Sequence, residues 1–270
     1  MLGEGFAMNE VFDGVRIVLC LSFLIYASWS DYKTREVSNM VWVVLAPSAF
    51  ALTAFQFFMF APESLQTYVL SFAITSALAL ALVYAGAFGG ADAKALMCLS
   101  LALPTYPLHL LQQQWFISPL FPITVFTNGV LLSALSVVYA LFRNLLWKSK
   151  TKKGIFEGLE EESVGRKILT LLCGYKAKIS TLEKREHLYP LEDVYVNETG
   201  ESRRKLLVFP KDEEREDILE RLLTAADEGK LENEVWATPG LPMLIFITAG
   251  LIVALAFGDI VWVALSSVLK

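Results

Sequence analysis

Gly89-Gly90-Ala91-Asp92-Ala93-Lys94 lies between two apolar runs, residues 65–88 before it and 95–103 after it. How this hexapeptide is read decides the fold. An ionisable side chain at membrane depth is costly, so an aspartate in such a setting is a functional candidate by default. The alternative is a helix N-cap at the water interface, where aspartate is a preferred residue. The two glycines ahead of Asp92 would let the backbone turn tightly. Taken locally the two readings balance, and a second aspartate, Asp31, separates them.

Outward from this stretch, the 270-residue chain is 55% hydrophobic and only 19% charged. That composition places it among membrane proteins with room for several spans. Crossing a bilayer as helix takes roughly 20 apolar residues. The candidate runs are residues 15–30, 41–60, 65–88, 93–111, 117–147 and 241–268. They predict an all-α polytopic membrane protein with six transmembrane helices. Pro104 and Pro107 interrupt the fourth run, so a short or kinked helix is expected there. The fifth run is long enough to tilt or to pass beyond the membrane. Nothing ahead of the first run resembles a basic leader with a cleavage site, so it reads as a retained span.

Lysine and arginine set the orientation. Lys33 and Arg35 follow the first run, Lys94 follows the third, and Arg143, Lys148, Lys150, Lys152 and Lys153 follow the fifth. The alternate loops are nearly free of them, Arg16 and Lys270 excepted. The pattern predicts a multi-pass plasma-membrane protein with both termini outside and both aspartates at cytoplasmic helix ends. Residues 1–147 would hold spans one to five, 148–238 a cytoplasmic soluble domain, and 239–270 the sixth span.

The polar insert between spans five and six opens on a basic stretch suited to anionic headgroups. Within it, residues 160–178 carry a helical pattern, 193–197 and 203–209 resemble a β-hairpin, and 211–227 reads as a helix. A small α+β domain is therefore expected. Asn197-Glu198-Thr199 fits the glycosylation pattern but falls on the cytoplasmic side. Acidic residues dominate 212–238, which predicts attraction for a basic partner, with a solvated helix face as the plainer reading. Cys20, Cys98 and Cys173 are scattered, metal-ligand spacing is absent, and His109 and His187 stand alone. No metal, cofactor or nucleic acid is implied.

Asp31 closes the first span, on the same predicted side and at a similar depth as Asp92. Two carboxylates sharing a site of low dielectric cannot both ionise, so one keeps its proton. One can then activate water while the other protonates a carbonyl or leaving amine. A proton-coupled transporter with Asp31 and Asp92 as an ion relay suits the same residues, as does a scaffold without chemistry.

Three stretches resemble the preflagellin (archaellin) peptidases, within the type IV prepilin peptidases and the GxGD intramembrane aspartyl proteases. Asp31 followed by Val37, Ser38 and Asn39 is similar to the Asp…Ile-Pro-Asn segment of that group. Gly89 to Lys94 is similar to Gly-x-Gly-Asp-x-Lys, with Ala91 in place of the second glycine. Thr238-Pro239-Gly240-Leu241-Pro242 resembles the Pro-Phe-Gly-Pro segment. The paired cysteine motifs of many bacterial members are missing, which favours the archaeal branch. The resemblance implies an aspartic endopeptidase that removes a short basic leader from preflagellin or pilin-like precursors at the cytoplasmic membrane face. Asp31 and Asp92 would be catalytic. Gly89, Gly90, Ala91, Lys94, Asn39, Pro239, Gly240 and Pro242 would shape the loops and bind substrate, and membrane lipid would surround the enzyme. Precursors of adhesion pili are an alternative substrate. The resting enzyme is expected to hold the two carboxylates apart until substrate rearranges the helices.

Overall fold

Apolar runs without internal polar partners must satisfy their backbone within the segment, and helix is the way to do so in lipid. A computed structural model describes residues 2–107, 119–196, 202–207, 215–240 and 242–268. It divides into two units, Met1–Ser133 with Pro242–Lys270, and Ala134–Leu241.

The first unit contains α1 (Leu2–Thr34), α2 (Asn39–Phe60), a 3-10 turn (Pro62–Ser64), α3 (Leu65–Tyr84), α4 (Gly90–Ala102) and α5 (Phe121–Ser133). After the second unit come α10 (Met243–Phe257) and α11 (Ile260–Val268). Four helices are long and apolar enough to cross a membrane: Met8–Thr34, Asn39–Phe60, Pro62–Tyr84 and Phe121–Thr151. Val18, Ile25, Phe50, Phe58 and Val69 face outward from them, as lipid-facing residues do. The sequence reading of six such helices therefore meets two shorter ones. Among its described residues the fourth run is helical within α4, a helix of 13 residues that stops two residues before Pro104. A residue preceding proline is driven out of the helical region, which accounts for the stop. The last run breaks at Gly258, held at φ 75°, into α10 and α11.

That break is held from α5. Asn128 donates Nδ2–H to the Gly258 carbonyl at 2.9 Å, and its Oδ1 accepts from Ile260 N at 3.1 Å. Asp259 caps α11 by accepting from Trp262 N at 2.9 Å, while Thr124 donates to its other oxygen at 3.2 Å. Asp259 thus has a structural task that its position outside any motif did not suggest.

α4 packs against α1, α2, α3, α5 and α10, and its Ala95, Leu96, Leu99 and Ala102 are buried. Its far end is fixed by a polar cluster in α1 and α2. Arg16 is buried, pairs with Asp13, and donates to the Ala102 carbonyl at 2.8 Å. Thr53 donates to the same carbonyl at 3.1 Å. The last carbonyls of a helix lack intrahelical donors and carry partial negative charge, so a guanidinium is a fitting partner. Arg16 departed from the orientation pattern because it is this buried partner.

α5 and α10 meet through Gly129 and Gly250. A Cβ on Gly250 would press into the Val125 carbonyl and come within 2.8 Å of Gly129 N, and one on Gly129 would lie 2.9 Å from the Phe246 carbonyl. Small residues permit such backbone approach between membrane helices. Gly250→Val is expected to cost about 1–3 kcal/mol by forcing the helices apart. Detergent-titration unfolding against the wild type measures the loss, and an unchanged midpoint would mean that the crossing is not that tight.

The second unit holds α6 (Leu135–Thr151), α7 (Val164–Cys173), β1 (Tyr175–Lys178), α8 (Ile179–Lys184), β2 (Leu188–Pro190), β3 (Glu192–Val196), β4 (Ser202–Leu206), α9 (Arg215–Asp227) and β5 (Glu234–Pro239). β5 lies between β1 and β2, antiparallel to both, with Tyr175 opposite Ala237 and Leu188 opposite Pro239. The hairpin read from the sequence is present as β3 and β4, with Asp193 opposite Lys205. Its turn, together with the Asn197 pattern, His109 and Asp212 to Glu214, lies outside the described residues. The helix read over 160–178 ends at Cys173, where a Cβ on Gly174 would come within 2.9 Å of the Ala237 carbonyl as β1 begins.

Inside this unit the ammonium of Lys176 lies 5.2 Å from the Trp236 ring centroid and 3.7 Å from a carboxylate oxygen of Glu192. Burial pushes the Lys176 ammonium below the ordinary lysine range. Glu192 also accepts from Trp236 N at 3.1 Å and pairs with Arg204, which ties hairpin to sheet. The acidic end of the insert is more occupied than its charge count implied. Glu232 pairs with Lys153, Glu228 with Lys230 at 2.6 Å, and Glu234 accepts from Trp147 Nε1 at 2.6 Å.

Candidate active site

Short connections between α1 and α2 and between α3 and α4 bring four helix ends to one end of the first unit. Ser38 caps α2, its hydroxyl accepting from Met40 N at 3.3 Å. Arg35 takes a left-handed conformation at φ 58°, with its N–H on the Asp31 carbonyl at 3.0 Å. Ser30 donates to the Glu36 carbonyl at 2.7 Å, which closes the turn over the end of α1. Asp31 therefore stands in the last turn of α1, at a corner tied by backbone and hydroxyl bonds.

The second corner differs from the sequence reading in its cause. Gly86, at φ 71°, makes the left-handed turn after α3, a role for which glycine at a helix C-terminus is suited. Gly89 is extended at φ −76° and ψ 160°, and neither it nor Gly90 has a positive φ. What Gly89 supplies is space: a Cβ there would come 3.3 Å from Asp92 Oδ2. Its N–H donates to that oxygen at 3.0 Å. Asp92 thus occupies the first turn of α4, where the partial positive charge of the helix N-terminus favours a carboxylate. Ala91 sits in regular helix and packs against the core, so the second glycine of the motif is not needed here for backbone freedom. Gly86 had a sequence signal, a glycine near the end of the apolar run 65–88, that the motif drew attention away from.

Asp31 lies within electrostatic reach of Asp92. The other motif residues of this corner also meet: Lys94 donates Nζ–H to Asn39 Oδ1 at 2.7 Å, tying α4 to the start of α2. Lys33 is engaged elsewhere, its ammonium 5.1 Å from the Trp29 ring centroid. α10 begins at this end too, since Ser28 and Thr248 share a hydroxyl hydrogen bond of 2.7 Å and Pro242 caps α10. Pro239 and Gly240 belong to the second unit. Pro239 closes β5 opposite Leu188, and Gly240 N donates to the His187 carbonyl at 3.0 Å. These two residues form strand and sheet edge, where the sequence reading had a loop entering the last span.

The Lys94–Asn39 bond involves a charged donor on exposed side chains, which limits it to about 1 kcal/mol. Asn39→Ala and Lys94→Ala are each expected to lower kcat/KM for substrate by roughly fivefold, the rate equivalent of that energy. The double variant should fall no further, because both changes remove one bond. A multiplied loss would show that the two side chains act separately.

Comparison with known proteins matches the chain in two stretches. Residues 18–142 match the model of the type IV leader peptidase family, and residues 166–260 match the archaeal peptidase A24 C-terminus, type II. Both aspartates fall within the first match. A preflagellin peptidase of Methanococcus voltae is 28% identical over 246 residues, covering 87% of this chain and 92% of the relative. Preflagellin peptidases of Methanococcus maripaludis and Methanocaldococcus jannaschii are each 24% identical, covering 87% of this chain and 92% and 91% of theirs.

Proposed function

From the matches to the type IV leader peptidase family and the archaeal peptidase A24 C-terminus, we propose that the chain is an aspartic endopeptidase that removes the leader of preflagellin-like precursors at the cytoplasmic membrane face. The observation that carries this reading is the corner itself. Asp31 and Asp92 come from different helices to one end of one unit, within electrostatic reach, with Asp92 held by Gly89.

Two such carboxylates share a proton. The ionised one takes a proton from water, and the water oxygen attacks the scissile carbonyl carbon. The protonated one hydrogen-bonds that carbonyl oxygen and then supplies a proton to the leaving amine as the C–N bond breaks. The pair titrates as a unit, so base and acid are properties of the dyad. Asn39 and Lys94 position α4 against α2, Gly90 and Ala91 open α4 beside Asp92, and Pro242 caps α10. Pro239 and Gly240 end the sheet that precedes α10. In this reading α4, packed among the helices of the first unit, and α10–α11 complete six passes, with both chain termini outside and the second unit cytoplasmic. The substrate is a precursor whose short basic leader ends in glycine ahead of a hydrophobic helix.

The test is incubation of the purified protein in micelles with such a precursor, followed by mass determination of both products. The expected result is one cut after the leader glycine, absent with Asp92→Asn. Intact precursor, or equal cutting by both preparations, would sink the reading. Running an adhesion-pilin precursor beside a preflagellin one separates the two substrate classes.

A further inference from the structure

The second unit carries a helix whose outer side is apolar. α7 turns Val164, Ile168 and Leu172 outward, 72%, 52% and 36% exposed, at the spacing of one helix face. Its other side packs inward through Thr170 and Leu171. An apolar stripe of this kind on a polar unit marks an interaction surface.

α6 indicates what covers it. The side chain of Asn144 donates to the Gly174 carbonyl at 2.8 Å and accepts from Lys176 N at 3.2 Å. The C-terminal end of α7 is therefore pinned beside Asn144. At that level α6 still turns Phe142, Leu145 and Leu146 outward. These residues close a 31-residue apolar helix long enough to cross a membrane. Lysines follow within the next turn, at Lys148 and Lys150. The Arg143 guanidinium lies over the Tyr175 ring, 3.6 Å from its centroid, at the same depth. Tyrosine and basic residues mark the boundary between membrane and water.

We propose that α7 is an in-plane membrane helix. Its apolar stripe enters the boundary between headgroups and acyl chains of the bilayer that α6 crosses, and Arg166 and the α6 lysines meet anionic headgroups. A stripe on a ten-residue helix is too small for a second copy of the chain, since a stable interface buries about 800 Å² per partner. The inference rests on α6 as a span and is independent of the peptidase assignment.

The test uses the full chain reconstituted in vesicles of phosphatidylcholine and phosphatidylglycerol. Nitroxides are attached to Ile168→Cys or Leu172→Cys in a Cys173→Ser background, with Glu183→Cys on α8 as a water-facing reference. Cys20 and Cys98 are buried and stay unlabelled. The expected result is that dissolved oxygen relaxes the nitroxides on α7 more than a water-soluble nickel chelate does, with the reverse order on α8. Equal or greater access for the chelate on α7 would overturn the proposal. Label–label broadening that vanishes on dilution with unlabelled protein would overturn it in favour of a second copy. Oxygen preference that arises only after precursor is added would overturn it in favour of the substrate helix.

Discussion

Asp31→Asn and Asp92→Asn are each expected to lower the rate of leader cleavage by roughly 10²–10⁴-fold, the span associated with losing a positioned acid or base. Asparagine keeps the size of the side chain and removes the ionisable oxygen. At position 92 the amide oxygen can still accept from Gly89 N, so the first turn of α4 keeps its cap. Thermal unfolding should therefore be close to the wild type while turnover collapses. Glu36→Gln is the matched control, because Glu36 is exposed and the turn uses its backbone carbonyl through Ser30 and Thr34. Asp259→Asn does not serve as one, given its buried capping role. Cleavage at near wild-type rate in either aspartate variant would remove that residue from the chemistry.

The second large effect is on stability. Asp13→Ala is expected to destabilise the first unit by about 3–5 kcal/mol, the cost of stranding a buried charge after its partner is removed. Asp13 and Arg16 are 4% and 3% exposed, and Gln56 donates to the same Asp13 oxygen at 3.2 Å. Without Asp13 the guanidinium keeps only neutral acceptors, the Thr53 hydroxyl and the Ala102 carbonyl. Replacing both charges, as Asp13→Leu with Arg16→Met, should recover much of the loss, since a buried ion pair exchanged for packed apolar groups is often neutral. The midpoint of unfolding in mixed micelles reports both. A shift of less than about 0.5 kcal/mol for Asp13→Ala, the size of an ordinary surface change, would mean that water or detergent reaches the cluster.

How much of this was legible follows from which features are local. α2, α3 and the second half of α1 announce themselves by apolar runs, while the polar first half of α1 does not, and the end of α4 is announced by Pro104. The break between α10 and α11 rests on two residues in an apolar run, and what holds it comes from Thr124 and Asn128, far away in sequence. Arg16 read as an oddity of charge placement because its partners lie on other helices. In the second unit the β3–β4 hairpin pairs neighbours in sequence and was legible. The sheet of β1, β5 and β2 was not: its strands are short, its pairings are distant, and Pro239 argues against a strand on local grounds. Of the candidate site, Asp31, Asp92, Asn39 and Lys94 were singled out from spacing and family pattern; in the structure Lys94 bonds Asn39, and Asp31 lies within electrostatic reach of Asp92. The turn made by Gly86 was missed, and Gly89 was chosen for its conformation when its lack of a Cβ is what matters.

The central claim is that Asp31 and Asp92 act as one catalytic unit, and a double-mutant cycle on leader cleavage tests it most directly. Groups that work together are strongly non-additive, because removing one disables the other. kcat/KM would be measured for the wild type, Asp31→Asn, Asp92→Asn and the double variant with one precursor. The account predicts that both single variants and the double variant share the same residual rate. A double variant slower than either single by the product of their separate losses would contradict it, and would make the two aspartates independent contributors.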